Sequence, residues 1–524
     1  MTELDLAAQA RLVRALQEPG VWDPPVETVE VRETHISWVL LAGAYAYKLK
    51  KAVDFGFLDY SCLEKRHRQC LREVELNRRT APMIYQEVLP VSGTPEQPRP
   101  GDPADPIEYL VKMRRFDENR LLARLVERGE LDERLMPRLA RAIADFQARA
   151  ERVPDDAPWG TPETVWHFVA ENFEQIRAAL GQNAGEPATV AQWSQARFAE
   201  LAPSIRDRRE AGCVRDGHGD LHLNNIVLID DQPVPFDCIE FNDALRFIDV
   251  INELAFLIMD LMARHRQDLA IWLLNEWLFI TGDYAGVPLL RFFVVYRAMV
   301  RAKVAALRLA QPDLSARERR AGQAEYRAYL QLAEAGTHPP PVRLVITHGL
   351  SGSGKSTLVH RLLGHWPAIH LRSDVERKRL FGLPMDARSA SAVAGGIYTP
   401  EATERTYARL AELARTLLVA GWPVVVDATF LDPARRTAFR RLAASLDVPF
   451  TVLDLQAPPA VLRARIRQRL AGQRDASEAD LQVLEHQLEH YRPIPADEPD
   501  VLRVDTTGAV DPAALARRLG AEDG

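Results

Sequence analysis

Val342-Arg-Leu-Val-Ile-Thr-His-Gly349-Leu-Ser-Gly-Ser-Gly354-Lys355-Ser356-Thr357-Leu-Val-His-Arg-Leu-Leu363 is the stretch that decides the fold. It reads as an apolar strand, a loop that fits GxxxxGK[ST] in full, and an opening helix. Glycines let backbone N–H groups turn toward an anion, and the helix N-terminus adds positive potential there. Lys355 is placed to hold the β- and γ-phosphates of ATP, and the Ser356 hydroxyl to bind Mg²⁺. Gly349, Ser351, Gly352, Ser353, Gly354 and Thr357 complete the cradle. A chance Gly/Ser turn would lack the strand before and the helix after.

Downstream, strands are predicted near 342–347, 368–372, 423–427, 449–454 and 501–505, with helices between them. That alternation predicts an α/β domain with a parallel sheet covered on both faces. Asp374 ends His370-Leu-Arg-Ser-Asp374, at the strand end where ligands gather on such sheets. It is placed to take a proton from a hydroxyl attacking the γ-phosphate, or simply to cap the next helix. Asp427 closes the buried strand Val424-Val-Val-Asp427 and is a candidate support for Mg²⁺. Arg463, Arg465 and Arg469 fall on one predicted helix, 458–470. Arg465 and Arg469 share a face and suit transition-state charge, the alternative being a solvated surface.

Gly349–Thr357, Ser373-Asp374, Asp427-Ala-Thr429 and Arg465-x-x-x-Arg469 ahead of Asp475-Ala-Ser-Glu-Ala479 resemble the small P-loop kinases. Gluconate kinases, polynucleotide 5′-kinases and zeta-type toxins belong to that group. The resemblance spans nearly all of 342–524. It implies that Asp374 activates the acceptor hydroxyl, that Arg377 touches the acceptor, and that Arg465 and Arg469 are lid arginines.

Toward the N-terminus, Glu334-Ala-Gly-Thr-His-Pro-Pro-Pro341 ends a long helical stretch, Tyr296–Leu332. Three prolines form a stiff connector and predict a domain boundary near 340, giving domains 1–338 and 342–524. Strand-like segments surround Val26–Val31, Ile36–Leu41, Ala44–Leu49, Glu87–Val91 and Tyr109–Arg114, with a helix from Leu63 to Arg79. This pattern predicts a small sheet lobe, about 20–115, and a helical lobe, about 116–338. The segment 181–189 reads as a surface loop.

His218-Gly-Asp220-Leu-His-Leu-Asn-Asn225 matches HGDxxxxN. A strand (Ile226–Ile229), a polar turn and Pro235-Phe-Asp237-Cys-Ile-Glu240 follow. An Asp near the acceptor, an Asn five residues on and an Asp after a hairpin are the parts of kinase-type phosphoryl transfer. The region resembles the aminoglycoside phosphotransferase and choline-kinase-like family, which has the protein-kinase fold. The resemblance implies Asp220 as base, Asn225 and Asp237 as metal ligands, Glu240 near the metal, and Asp249 as a brace of the catalytic loop. It also implies a small-lobe lysine on the phosphates, paired with a helix glutamate, Glu73. Only eight of 66 basic residues are lysine. Lys48 is the first choice and Lys50 the alternative, because both point the same way along a strand. A hinge is expected near Glu108–Met113. The family's Gly-rich loop has no clear counterpart; Thr34–Trp38 and Ala42-Gly-Ala lie nearby. The whole chain resembles bacterial fusions of these two domain types.

Composition narrows the function. The 524 residues carry a net charge of -7, which argues against a broad nucleic-acid footprint. Four cysteines show no CxxC spacing, so neither a disulfide framework nor a zinc site is expected, and a cytoplasmic location is. Met1–Gln17 lacks the apolar core of a signal peptide. Asp249, Glu253 and Asp260 interrupt the most apolar stretch, Phe247–Met262, so no membrane span is expected. The region 240–335 lacks the acidic cluster that a polycationic aminoglycoside would need. The expectation is a bifunctional, ATP- and Mg²⁺-dependent phosphotransferase acting on small hydroxyl compounds, sugars or their derivatives among them. Two other readings stay open. One is a single active P-loop kinase regulated by a nucleotide-binding kinase-like domain. The other is a toxin-like kinase or nucleotide switch.

Overall fold

The computed structural model describes residues 3–56, 58–181, 187–311, 314–387, 396–472 and 479–520. Most of the expected 181–189 loop and of the stretch Asp475–Ala479 lies outside the described residues. The chain forms two compact units. The first comprises 1–132, 145–171 and 198–260; the second comprises 133–144, 172–197 and 261–524. The boundary expected near residue 340 therefore falls inside the second unit.

The first unit is built on a six-stranded antiparallel sheet of β1 (Val29–Glu33), β2 (Ser37–Ala42), β3 (Tyr45–Lys50), β4 (Tyr85–Thr94), β5 (Gln97–Pro100) and β6 (Glu108–Arg114), in the order β1-β2-β3-β6-β4-β5. Period-two alternation sorts β3 into two faces. Tyr47 and Leu49 pack with Leu12, Leu16, Trp38 and Leu110 in one core. Lys48 and Lys50 therefore face the other side, which is covered by the helix Leu63–Asn77. That helix contributes Cys70 and Val74 to a second core with Tyr85, Val111, Val227 and Val234. The segment expected as a hinge, Glu108–Met113, is β6 itself, paired with both β3 and β4. The short strand β7 (Val214–Asp216) pairs antiparallel with β10 (Phe247–Asp249) across the functional loop, while β8 (Ile226–Ile229) and β9 (Gln232–Pro235) form the expected hairpin. Asp230 and Asp231 both take positive φ in its two-residue turn, which matches the twist of the strands.

In the second unit β11 (Leu344–His348), β12 (Ile369–Arg372), β13 (Val424–Asp427), β14 (Phe450–Gln456) and β15 (Val501–Asp505) make a wholly parallel sheet, ordered β12-β13-β11-β14-β15. The run Val424-Val-Val-Asp427 is buried throughout, as a strand covered on both faces must be. The chain leaves central β11 between neighbours on either side, the switch point where open α/β sheets bind ligands. The expected single helical stretch 296–332 is two helices, Val287–Leu309 and Ala316–Gly336. Ser315 and Glu318 cap the second reciprocally, which restarts the helix rather than continuing it.

Candidate active sites

In the first unit the site is assembled by side chains far apart in sequence. Lys48 Nζ lies 2.9 Å from Glu73 Oε1 and 2.8 Å from Asp237 Oδ1. Lys50 Nζ lies 2.6 Å from Glu73 Oε2 and also pairs with Glu240. Both lysines anticipated from the strand thus converge on one glutamate, one oxygen each. Tyr60 donates its hydroxyl to Glu240. Burial works against charge on both lysines. The carboxylates of Asp237 and Glu73 outweigh it at Lys48, and those of Glu240 and Glu73 at Lys50, so each is held above the usual lysine range. Burial likewise opposes the charge on Glu73, but the two lysines hold it well below the usual carboxylate range.

The loop His218–Asn225 is fixed from below. Glu253 Oε1 accepts the backbone N–H groups of His218 and Gly219, and Asp260 Oδ2 accepts that of Leu223 at 2.9 Å. The bracing expected of Asp249 is supplied by these two residues. Asp249 itself takes a bidentate pair with Arg208, both bonds at 2.8 Å. Asn225 Nδ2 donates to Asp220 O at 3.0 Å and to Asp220 Oδ2 at 3.1 Å, leaving its Oδ1 available to a cation. Asn225 O accepts the Phe236 N–H at 2.9 Å, which binds the loop to the strand end carrying Asp237. Asp237 adopts φ 63°. Its N–H donates to Tyr85 Oη at 3.1 Å, and Cys238 N–H donates to Asn77 Oδ1 at 2.8 Å, so neighbours hold this costly conformation. His222 Nε2 sits 3.3 Å from Asp220 Oδ2. Sequence reasoning missed Tyr60, Tyr85, Asn77 and the Lys50–Glu240 pair; Glu240, three residues after Asp237, was the one signal.

In the second unit the grip is local. Gly349, Gly352 and Gly354 have φ of 146°, 81° and 88°. A Cβ at Gly352 would stand 2.8 Å from Leu462 O, so glycine is required there by both conformation and space. Lys355 Nζ donates to Gly349 O and Leu350 O, both at 2.9 Å, and lies 3.5 Å from Ser353 Oγ. Burial lowers its pKa against the pull of Asp427 and Asp374. Ser356 Oγ donates to Asp427 Oδ2 at 2.6 Å. A hydroxyl and a carboxylate meeting at the loop mouth suit Mg²⁺, whose shell phosphate oxygens and water would complete. Ser351 N–H is anchored by Gln487 Oε1 at 2.9 Å, a contact that no motif announced. Thr357 lies exposed in the first turn of the helix Lys355–Leu363.

Asp374 occupies the first turn of the helix Ser373–Leu380, whose N-cap is Arg372. It acts electrostatically on both Lys355 and Arg377. Arg377 is buried; its guanidinium donates to Ile397 O at 3.0 Å and Thr403 Oγ1 at 3.1 Å and lies over the Tyr398 ring. Arg465 reaches the phosphate loop at Gly352 O, 3.5 Å away, and bonds Thr506. Arg469 is bonded to Ala479 O and is close enough to Lys355 to lower its pKa. Arg463 turns away to a surface ion pair with Glu485. Sequence reasoning also left His370 without a role; its Nε2 stands 3.3 Å from Asp427 Oδ2.

Residues 344–494 match a family model described as an AAA domain. Over 458 residues the chain is 32% identical to an uncharacterized protein of Mycobacterium tuberculosis, covering 86% of this chain and 88% of the relative. A choline/ethanolamine kinase family protein from Mesorhizobium loti superposes with a TM-score of 0.37 at 12% identity, covering 63% of this chain and 98% of its own. A gluconokinase from Sinorhizobium meliloti superposes with a TM-score of 0.24 at 22% identity, covering 34% of this chain and 90% of its own. The chain belongs to the family of the mycobacterial protein, and its residues 344–494 carry the match to the AAA domain.

Proposed function

We propose that the chain is a bifunctional phosphotransferase that moves the γ-phosphoryl group of ATP to hydroxyl groups of small molecules, sugars or sugar derivatives among them. The observation that carries this reading is that Lys48 pairs with Glu73 and Asp237, and Asn225 donates to Asp220, in the first unit, while Ser356 donates to Asp427 and Asp374 acts on Lys355 in the second. Each unit would then supply a lysine for phosphate, two oxygen ligands for Mg²⁺ and an aspartate for the acceptor. In the second unit, the acceptor hydroxyl would give its proton to Asp374 as its oxygen attacks the γ-phosphorus. The bond from that phosphorus to the bridging oxygen breaks, and ADP leaves. Lys355 holds the phosphates, while Arg465 and Arg469 face the charge that develops. In the first unit Asp220 takes the proton, Lys48 grips phosphate and Glu73 holds Lys48. Bound Mg²⁺ would neutralise phosphate charge, held by Ser356 and Asp427 in one site and by Asn225 and Asp237 in the other. The location proposed is the cytoplasm. Among the described residues no helix is long and apolar enough to cross a membrane.

A second reading, one P-loop engine regulated by nucleotide in the first unit, draws support from the loop Thr34–Ile36 between β1 and β2, which lacks glycine. A ³¹P NMR screen of the protein with Mg-ATP and pooled sugars, amino sugars, nucleosides and oligonucleotide ends separates the two. Two phosphomonoesters, one lost in Asp220→Asn and the other in Asp374→Asn, are expected. One variant abolishing all turnover would leave the single-engine reading.

A further inference from the structure

The strand β12 lies at the edge of the parallel sheet, and among the described residues only β13 pairs with it. An edge strand exposes N–H and C=O groups that need partners. Here the helix Gln267–Thr281 supplies one. Asn275 Oδ1 accepts the His370 N–H at 2.7 Å, and Asn275 Nδ2 donates to Ala368 O at 3.0 Å. One side-chain amide thus takes the place of a residue in a neighbouring strand. Asn275 is 2% exposed on a helix that otherwise buries Leu, Ile, Trp and Phe side chains. A polar group there is tolerated only when its bonds are made, and Nδ2 also donates to Ile271 O at 2.9 Å.

The same helix touches the His370 side chain. The Phe279 ring meets the imidazole edge-on at 5.3 Å, and the Arg372 guanidinium lies 5.7 Å from the Phe279 centroid. Further along, Trp272 Nε1 donates to His360 O at 2.8 Å, and Arg379 bonds the carbonyls of Leu278 and Phe279. The imidazole so held stands 3.3 Å from Asp427 Oδ2, the carboxylate oxygen that Ser356 also reaches.

We propose that Asn275 and His370 are positioning residues of the P-loop site. Asn275 fixes the backbone of β12, and His370, fixed there, donates to Asp427 and orients it toward Ser356. The inference rests on the P-loop reading given above. It also makes the helix Gln267–Thr281, which lies well before the prolines at 339–341, a working part of the C-terminal kinase site.

The test uses the full chain carrying Lys48→Ala, so that the P-loop alone reports. Calorimetry gives the Kd of AMP-PNP with and without Mg²⁺, and the ratio of the two is the gain from Mg²⁺. His370→Ala and Asn275→Leu should each cut that gain about tenfold, the usual scale for groups that orient a metal ligand. Binding without Mg²⁺ should change less than about twofold. His370→Gln, which keeps a donor near the Nε2 position, should restore most of the gain; a merely space-filling histidine would not be rescued this way. In Asn275→Leu, hydrogen exchange at the His370 amide should rise. A Mg²⁺ gain within about twofold of the parent in both His370→Ala and Asn275→Leu overturns the proposal. If Asn275→Leu does not fold, the His370 pair decides alone: loss in Ala with recovery in Gln supports it, and no loss in Ala overturns it. Adding Lys355→Ala must abolish binding. If it does not, the P-loop reading fails, and this inference falls with it.

Discussion

Lys48 stands among carboxylates contributed by residues 73 and 237, whereas Lys355 rests on two carbonyls of its own loop. The consequences run in opposite directions: the first lysine is held above its usual pKa, the second below it. In the first unit Lys50, Glu73 and Glu240 make a buried ion cluster, joined through Lys48 to half-exposed Asp237, so this lysine pair is inseparable from its packing. In the second unit nine consecutive residues form the cradle, and the fold has only to present it at the end of β11. A grip made of ion pairs is coupled to stability and pH; a grip made of backbone is coupled to steric fit.

The largest effect expected separates the sites by activity. Lys355→Ala should lower formation of the Asp374-dependent product about 10³-fold, roughly 4 kcal/mol, leaving the Asp220-dependent product unchanged. Lys48→Ala should do the reverse. Rates from ³¹P NMR time courses check both, and an equal loss of both products in either variant would break the comparison.

Stability should follow the ion cluster. Glu73→Ala removes the fully buried carboxylate shared by Lys48 and buried Lys50 and should cost about 3–5 kcal/mol in urea unfolding. Asp374→Asn removes a charge in the first turn of a helix, beside Lys355 and Arg377, and should cost roughly 0.3–1 kcal/mol.

The steric side of the comparison is tested by Gly352→Ala. The added Cβ meets Leu462 O at 2.8 Å in a positive-φ conformation. Nucleotide affinity at the P-loop should drop by about 1–3 kcal/mol, with the first site unaffected. Calorimetry in the Lys48→Ala background measures it.

The smallest effect is in the acid limb of stability. Glu73 has a folded pKa below its ordinary value of 4.5. It binds fewer protons folded than unfolded, so its contribution is full above that value and is lost as pH falls through the folded pKa. Melting temperature measured from pH 7 to pH 3 should fall less steeply in Glu73→Gln than in the parent chain. An unchanged slope would remove Glu73 as the source.

Legibility in the sequence differed for the same reason. The loop 349–357, Asp374, Asp427 and Ser356 could be singled out because each sits at a fixed offset from a strand end, and strand ends show as the last residue of an apolar run. Asp220, Asn225 and Asp237 were readable as an ordered series with a hairpin between. The bracing of the loop 218–225 was not: the sequence offered Asp249, at the end of β10, while the fold uses Glu253 and Asp260 on the helix Val250–Ala263 that follows it. Helical spacing set Arg465 and Arg469 on one face apart from Arg463, but which face of that helix meets the loop is set by packing.

Sequence alone marked the loops 218–225 and 349–357, the lysines set beside them and the parallel sheet, because backbone turn chemistry, residue periodicity and motif spacing are local properties. Tertiary structure decided that Lys48 and Lys50 share Glu73, that Glu240 is bound by Lys50 and Tyr60, and that Asn275 completes the edge of β12. Those contacts join residues from 23 to 190 positions apart. Hydrogen bonds and ion pairs of that kind depend on where packing brings two segments together, and no local pattern records it.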